Sequence, residues 1–233
     1  MTLNDSRRFW NEKAKENPYW YVSSYGPYSG RNLADFWESG AKVWEDLKTT
    51  LAYSPVSSDV VVEIGCGVGR LSRAIAPEVS RLHAIDISDE MLTLARNEVR
   101  RSNVIFHHGD GESLRPIPDA AADLVLAYCV FQHLPSTDTL LQYLSEMQRV
   151  AKPGGLVAFT LTRRTWHVYA MPLLRAKRWI KERCLPDGPR ELYRHEWVGI
   201  RPTPDSIRHL SSVPLALAPL HNDKWLLTLR TPL

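Results

Sequence analysis

A glycine-rich turn after an apolar run is the stretch of this sequence best suited to chemistry. Residues 59–64, DVVVEI, have the β-branched composition of a strand that is buried on both faces. Gly65, Gly67 and Gly69 follow at alternate positions, and glycine allows both a tight turn and the close approach of a ligand to the backbone. Residues 71–75 then open a helix whose free N–H groups face the turn. This succession of strand, turn and helix predicts a nucleotide-binding site.

A second carboxylate supports a nucleotide ligand. Residues 80–86, SRLHAID, have the pattern of the next strand, and Asp86 ends it just over twenty residues beyond Glu63. That is the distance at which an α/β unit presents a carboxylate to a ribose. Asp86 is therefore the predicted ribose ligand, because Ser88 already provides the cap of the helix that follows.

The spacing of the glycines distinguishes this turn from two common phosphate-binding motifs. A dinucleotide fingerprint requires G-x-G-x-x-G, and its third glycine would stand where this chain has Arg70. A P-loop requires G-x-x-x-x-G-K-[ST], and no lysine follows these glycines. The pattern that is present, E-x-G-x-G-x-G from Glu63 to Gly69, resembles motif I of the class I S-adenosylmethionine-dependent methyltransferases, in their small-molecule branch.

Two further segments resemble the same family, so that the resemblance covers about residues 59–161. They are the acidic loop HHGDGES at 107–113 and the KPGG turn at 152–155. The resemblance implies that the glycine turn holds the aminoacyl end of the cofactor S-adenosylmethionine, whose product is S-adenosylhomocysteine, and that Asp110 accepts from the adenine amine. The cofactor-binding residues that it implies are Glu63, Gly65, Cys66, Gly67, Gly69, Arg70, Asp86, Ile87, Met91, Asp110, Gly111, Glu112, Tyr128 and Tyr21.

The resemblance also implies the fold class, and the composition of the remaining residues predicts how the chain is divided. We expect an α/β, Rossmann-like, doubly wound fold, with a seven-stranded, mostly parallel sheet whose last strand is antiparallel. Residues 1–53 are unusually aromatic and are predicted to form an N-terminal helical lid, with helices at 7–16 and 32–51 and no helical period over 19–28. Residues 54–233 are the predicted methyltransferase domain, in which 162–200 form an insert after the fifth strand that caps the substrate.

The acceptor side of the site is expected just past the fourth strand, predicted at 122–130. Methyl transfer from a sulfonium is an in-line displacement, so orientation of the reactants is the main requirement. A neutral oxygen or nitrogen nucleophile must also lose a proton, which favours a general base. His133 is the candidate base, and a structural hydrogen bond is its alternative role. The predicted substrate-binding residues are Tyr25, Gln132, His133 and His167.

Bulk composition limits the remaining possibilities. A chain of 233 residues fits one α/β domain, and a net charge of +3 with a pI near 8.8 does not by itself indicate a polyanionic partner. Residues 1–17 are polar and no apolar run approaches membrane-spanning length, so we expect a cytoplasmic protein without membrane association. Three widely separated cysteines signal neither a disulfide framework nor a zinc site, and no metal is expected.

These observations predict S-adenosylmethionine-dependent methyl transfer to an oxygen, nitrogen or carbon nucleophile of a small molecule. A natural-product, modified-peptide or sugar intermediate is the expected kind of substrate. A basic, aromatic stretch at 166–185 leaves methylation of tRNA or rRNA as an alternative, but nearby acidic residues dilute its charge and argue against nucleic acid. A catalytically silent module that only binds the cofactor is a second alternative. Substrate identity and oligomeric state are not indicated.

Overall fold

The computed structural model describes residues 2–23, 32–162, 215–220 and 224–232. Tyr25, His167 and the predicted insert beyond residue 162 lie outside this part of the chain. The helices are α1 (Leu3–Glu16), α2 (Pro18–Val22), α3 (Leu33–Leu51), α4 (Ser72–Ile75), α5 (Asp89–Glu98) and α6 (Thr137–Val150). The strands are β1 (Val60–Ile64), β2 (Arg81–Asp86), β3 (Val104–His108), β4 (Ala122–Ala127), β5 (Ala151–Thr162), β6 (Ala216–Leu220) and β7 (Lys224–Arg230).

The strands form one seven-stranded sheet in the order β3-β2-β1-β4-β5-β7-β6. Strands β1 to β5 pair in parallel, and β7 runs antiparallel between β5 and β6. The predicted fold class, including the antiparallel last strand, is therefore confirmed. The chain order reverses between β1 and β4, and in open parallel sheets a ligand binds outside the carboxyl ends of the strands at this point.

Alternate residues of the central strands supply two separate cores, one on each face of the sheet. Val61 and Leu124 face the core that contains Trp44 and Ile75, from α3 and α4. Val62, Val125 and Ile64 face the opposite core, where α6 and the segment before it pack. Burial on both faces explains why β1 reads as a continuous β-branched run.

Helix α1 begins at Leu3, four residues before the predicted start, because the capping signal lies further upstream. The Thr2 hydroxyl accepts from the Asp5 amide at 3.2 Å, and the Asp5 carboxylate accepts from the Thr2 amide at 2.9 Å. This reciprocal capping box satisfies two of the free donors of the first turn. Across the sheet edge, the Asn11 side-chain oxygen accepts from the Ser88 hydroxyl at 2.7 Å, which fixes α1 against the start of α5.

Three other local expectations were wrong in detail. Residues Pro18–Val22 form a short helix, capped by Asn17, inside the segment for which no helical period was expected. Helix α4 has only four residues, because Pro77 follows in a 3₁₀ turn. Strand β4 ends at Ala127, three residues early, because Cys129 has a φ of +62° that breaks the extended backbone.

Among the described helices, none has the length and apolar composition needed to cross a membrane.

Helix α3 approaches the glycine turn so closely that only glycine fits at the contact. A Cβ atom built on Gly40 would lie 2.4 Å from the Arg70 carbonyl oxygen, a backbone atom that cannot rotate away. On the same face of α3, Phe36, Val43 and Trp44 are buried, as the helical period predicts. The helix therefore packs directly against the end of the glycine turn.

Gly40→Ala is expected to lower the free energy of unfolding by about 1–2 kcal/mol. The overlap with the Arg70 carbonyl costs roughly 2–3 kcal/mol, which outweighs the gain of about 1 kcal/mol from alanine's helix propensity. Urea denaturation measures the change, and Lys42→Ala on the exposed face of the same helix is the control. A Gly40→Ala variant as stable as the wild type would show that α3 can move off the turn without cost.

Candidate active site

A cavity of about 320 Å³ opens at the carboxyl ends of the parallel strands. This volume is within the range of small-molecule sites. Most of the lining comes from the N-terminal helices, the glycine turn, the end of β2 and the segment after β4, and a few further residues come from α5, the loop after β3, α6 and β7. The lining residues are Leu3, Ser6, Trp10, Tyr21, Val22, Ser23, Glu63, Ile64, Gly65, Cys66, Gly67, Arg70, Leu71, Ile85, Asp86, Ile87, Met91, Gly109, Gly111, Tyr128, Cys129, Val130, Gln132, His133, Leu134, Pro135, Tyr143 and Lys224.

The glycine turn depends on a left-handed backbone at each of its three glycines. Gly65, Gly67 and Gly69 have φ values of +69°, +54° and +84°, a region that side-chain-bearing residues rarely adopt. A Cβ atom on Gly67 would lie 2.8 Å from a methyl group of Val22, so the end of α2 covers this part of the turn. Gly69 is not a lining residue: a Cβ there would meet Val99, at the end of α5.

Asp86 joins the end of β2 to the glycine turn. One carboxylate oxygen accepts from the Gly67 amide at 2.8 Å, and the other accepts from the Ser88 amide at 2.9 Å. The side chain is only half-buried where it meets the cavity. Burial among protein atoms nevertheless raises the pKa of the Asp86 carboxyl, and the two amide hydrogen bonds oppose that rise. Each oxygen keeps a lone pair that can accept from a ligand hydroxyl.

Two buried ionisable side chains flank the glycine turn: the Glu63 carboxyl before it and the Arg70 guanidinium after it. The Glu63 side chain is 3 % exposed and accepts from the Ser72 hydroxyl at 2.6 Å. Its burial raises the pKa of the carboxyl to about 8, with the Ser72 hydrogen bond and the Arg70 charge acting in the opposite direction. The Arg70 guanidinium is also 3 % exposed, donates to the Ser39 hydroxyl at 3.2 Å and lies 6.0 Å from the Phe36 ring centre.

The acidic loop after β3 reaches the cavity through its backbone. Gly109 and Gly111 line the cavity, and a Cβ atom on Gly111 would lie 2.9 Å from the Leu3 side chain. The Asp110 carboxylate is exposed and accepts from the amides of Glu112 and Ser113 at 3.0 and 2.7 Å. Neither Asp110 nor Glu112 is a lining residue. The adenine role predicted for Asp110 therefore stays a prediction.

Other predicted cofactor residues reach the cavity in different ways. Ile87 and Met91 line it beside Asp86. Cys66 lines it, but its side chain packs with Ala84 and Leu92, and burial raises the pKa of the thiol well above its usual value. The Tyr21 ring lines the opposite side, with its hydroxyl donating to Glu16 at 2.8 Å.

The segment after β4 forms the side of the cavity away from Asp86. Tyr128 is 7 % exposed and lines the wall. Cys129 keeps its left-handed backbone because its amide donates to the Thr160 hydroxyl at 2.7 Å on the neighbouring strand. Strained backbone of this kind is commonly held by the surrounding structure at functional sites.

Gln132 and His133 lie together on this side of the cavity. The Gln132 amide nitrogen is 3.3 Å from His133 Nε2, and the Trp10 ring packs edge-on against His133 with ring centres 5.2 Å apart. Within the part of the chain that the structure describes, the buried Gln132 side-chain oxygen has no hydrogen-bond partner. A buried amide oxygen without a donor is costly, so a ligand that donates to it would be favoured.

Sequence reasoning missed several lining residues that come from distant segments. Leu3, Ser6 and Trp10 are on α1, and only the aromatic density of the first 53 residues hinted at a role for this region. No sequence motif marks Lys224 as a cavity residue. It lines the cavity because it is the first residue of β7 and lies at the carboxyl edge of the parallel strands. Tyr143 is presented by α6 and reads as an ordinary core position.

Comparison with known proteins agrees with this geometry. Residues 62–159 match the model of a family described as a methyltransferase domain. A malonyl-[acyl-carrier protein] O-methyltransferase of Pectobacterium atrosepticum is 34% identical over 110 residues, 47% of this chain and 41% of that protein. A ubiquinone biosynthesis O-methyltransferase of Shewanella halifaxensis is 28% identical over 130 residues, 55% of this chain and 53% of that protein. The chain thus spans about half the length of the curated relatives it matches.

Solved structures share the fold over almost the whole chain. Magnesium protoporphyrin IX methyltransferase (ChlM) from Synechocystis PCC 6803, with bound S-adenosylhomocysteine, gives a TM-score of 0.66 at 16% identity and covers 99% of this chain and 100% of its own. The DhpI complex with S-adenosylhomocysteine gives 0.65 at 18% identity and covers 99% and 97%. At these identities the likeness establishes the fold alone. Over residues 62–159 the chain is therefore similar to methyltransferase domains, and its fold is that of solved methyltransferases that bind S-adenosylhomocysteine.

Proposed function

We propose that this protein transfers the methyl group of S-adenosylmethionine to an oxygen, nitrogen or carbon atom of a small molecule. The observation that carries the proposal is the hydrogen bond of 2.8 Å between the Gly67 amide and the Asp86 carboxylate. It holds the glycine turn and this carboxylate together on the wall of one cavity. The segment after β4 lines the same cavity and is assigned to the methyl acceptor. The similarity to O-methyltransferases of quinone and acyl intermediates supports a small-molecule acceptor.

The charges around the turn suit the two ends of the cofactor. Asp86 accepts from the ribose hydroxyls, since each carboxylate oxygen has a lone pair left after binding a backbone amide. Arg70 binds the cofactor's carboxylate and Glu63 offsets its ammonium, because both side chains line the cavity beside the glycines. Asp110 and the neighbouring Gly111 and Glu112 are assigned to the adenine side, on the family resemblance alone.

The acceptor side supplies orientation more than acid–base chemistry. Tyr128, Gln132 and His133 face the space next to the cofactor, and a closed apolar wall helps align nucleophile, methyl and sulfur. His133 has its Nε2 close to the Gln132 amide and its ring against Trp10, an arrangement that holds the imidazole in one orientation. A base role for His133 stays a prediction. Tyr25 and His167, the other predicted substrate residues, lie outside the described chain.

The function is tested by supplying radiolabelled S-adenosylmethionine and the protein to an extract of the source cells. Products are then separated into small-molecule, protein and RNA fractions. Label in the small-molecule fraction supports the proposal, and label in RNA would replace it with the nucleic-acid alternative. Binding of S-adenosylhomocysteine without transfer to any fraction would favour the catalytically silent module.

Asp86→Asn is expected to weaken S-adenosylhomocysteine binding by about 1.5–3 kcal/mol, because it removes charge-assisted hydrogen bonds to the ribose. Isothermal titration calorimetry measures the affinity. Asp89→Asn, on the exposed first turn of α5, is the matched control and should bind normally. An unchanged affinity in Asp86→Asn would contradict the ribose assignment, provided that its circular dichroism and melting temperature match the wild type.

Glu63→Gln is expected to stabilise the unliganded protein and to weaken cofactor binding. In the folded wild type the pKa of Glu63 is raised from 4.5 to about 8. Folding therefore favours the protonated form, and the wild type loses stability relative to Glu63→Gln as pH rises between those two values. The cofactor's ammonium favours the ionised form, so wild-type affinity should rise with pH towards 8.

The measurements are thermal unfolding and S-adenosylhomocysteine titration across this pH window. Glu45→Gln, an exposed carboxylate on α3, is the control and should leave both pH profiles unchanged. Parallel profiles for Glu63→Gln and the wild type would show that Glu63 does not titrate in this range. If Glu63→Gln binds S-adenosylhomocysteine as tightly as the wild type at the upper end of the pH window, the assignment of Glu63 to the cofactor site is wrong.

A further inference from the structure

Lys224 is a buried cation on the wall of the cavity. It is the first residue of β7, is 8 % exposed and lines the same cavity as the glycine turn. Its Nζ lies 5.7 Å from the centre of the Tyr128 ring. Across residues 2–23, 32–162, 215–220 and 224–232, no carboxylate is within ion-pair distance of this ammonium. Within these described residues, the Tyr128 ring is the only partner of the Lys224 ammonium.

The carboxyl and guanidinium groups of the cavity differ from Lys224, because each of them has a hydrogen-bond partner. Glu63 accepts from the Ser72 hydroxyl, Arg70 donates to the Ser39 hydroxyl, and Asp86 accepts from two backbone amides. A buried charge is expensive unless it is paired or hydrogen-bonded, and the face of one tyrosine ring offsets only part of the cost. Besides Arg70, which is assigned to the cofactor's carboxylate, the cavity therefore has a second cation, Lys224, for which a negatively charged ligand group is the natural complement.

The position of Lys224 in the sheet separates it from the cofactor groups. Glu63 ends β1 and Asp86 ends β2, whereas β7 lies beyond β4 and β5 on the other side of the switch point. In the antiparallel pairing of β5 with β7, Lys224 lies opposite Thr162, at the carboxyl end of β5. The lysine thus belongs to the Tyr128 side of the cavity, where the methyl acceptor is proposed to bind.

We propose that Lys224 binds an acid group of the methyl acceptor, a carboxylate or a phosphorus oxyanion. This inference rests on the proposed function, because it assigns a substrate class to that same site. A cationic methyl donor and an ammonium in one cavity repel each other, and an anion bound between them offsets both charges. The site should therefore select acidic acceptors over neutral ones of the same shape, because a neutral acceptor leaves the lysine unpaired.

The test compares the wild type with Lys224→Met, which removes the charge, and Lys224→Arg, which keeps it. Arg230→Met, at the exposed end of the same strand, is the control. Labelled small molecules formed from radiolabelled S-adenosylmethionine in the cell extract are treated with alkali and passed over an anion exchanger. Label released as methanol identifies a methyl ester of the acid group. Label retained by the exchanger identifies a product that is still acidic, methylated either elsewhere or on one oxygen of a phosphorus oxyanion.

Either of these products supports the proposal, whereas a neutral product stable to alkali overturns it. Lys224→Met should lower kcat/KM for the labelled acceptor by about tenfold or more, mainly through KM, and Lys224→Arg should recover part of the loss. Affinity for S-adenosylhomocysteine should be unchanged in all variants. Weaker binding of S-adenosylhomocysteine by Lys224→Met would place the lysine on the cofactor's carboxylate and overturn the proposal.

A direct binding experiment keeps this inference separate from the proposed function. If the wild type binds S-adenosylhomocysteine but transfers no methyl group, the methyl-transfer proposal fails. Thermal shifts of the S-adenosylhomocysteine-loaded protein with benzoate and with benzamide, its neutral isostere, then decide the anion site alone. Benzoate should stabilise the wild type more than benzamide does, and the difference should vanish in Lys224→Met. Equal shifts from the two probes on the wild type would overturn the anion site.

Discussion

The hydrogen bond between the Gly67 amide and the Asp86 carboxylate connects the two elements on which the rest of the site depends. It is 2.8 Å long and joins the turn after β1 to the end of β2, strands that pair in parallel over five residues. Parallel pairing places both carboxyl ends at one edge, but only the left-handed backbone of the turn aims the Gly67 amide at Asp86. The carboxylate is thereby held in place before any ligand binds.

The N-terminal helices complete the cavity because they are fastened to α5. A helix of the length of α1 is only marginally stable by itself in water, so its position depends on tertiary contacts. Asn11 accepts from the Ser88 hydroxyl at 2.7 Å, and the Tyr19 hydroxyl donates to Glu98 at 3.0 Å. These contacts secure the helices on the Asp86 side, while Trp10 reaches across to His133 on the other side.

The distribution of charge divides the cavity into two halves. Around the glycine turn, a buried acid with a raised pKa and a buried arginine lie where the zwitterionic end of the cofactor is proposed to bind. On the far side, the wall is apolar and aromatic apart from Gln132, His133 and Lys224. Buried charges have strong effects in such a setting, because little water remains to screen them. This is why one lysine is proposed to govern which acceptors are bound.

The sequence by itself determined the cofactor half of this protein. The run of β-branched residues, the glycines at alternate positions and Asp86 are local signals whose spacing follows from the geometry of one strand–turn–helix unit, and the structure brings them to one wall. The seven-stranded, mostly parallel sheet and its antiparallel last strand were also predicted, through the family resemblance. Helix starts and strand ends were less accurate, because a capping box at Thr2 and the left-handed Cys129 decided them.

Only the tertiary structure decided which distant side chains share the cavity. Leu3 and Trp10 reach it from α1, and Lys224 reaches it from a strand more than ninety residues beyond Tyr128. No periodicity or motif links such positions, because their proximity arises from the packing of helices and the pairing of β5 with β7. The burial that raises the pKa of Glu63 is likewise a property of the assembled core, since the same carboxyl in an extended chain would be solvated.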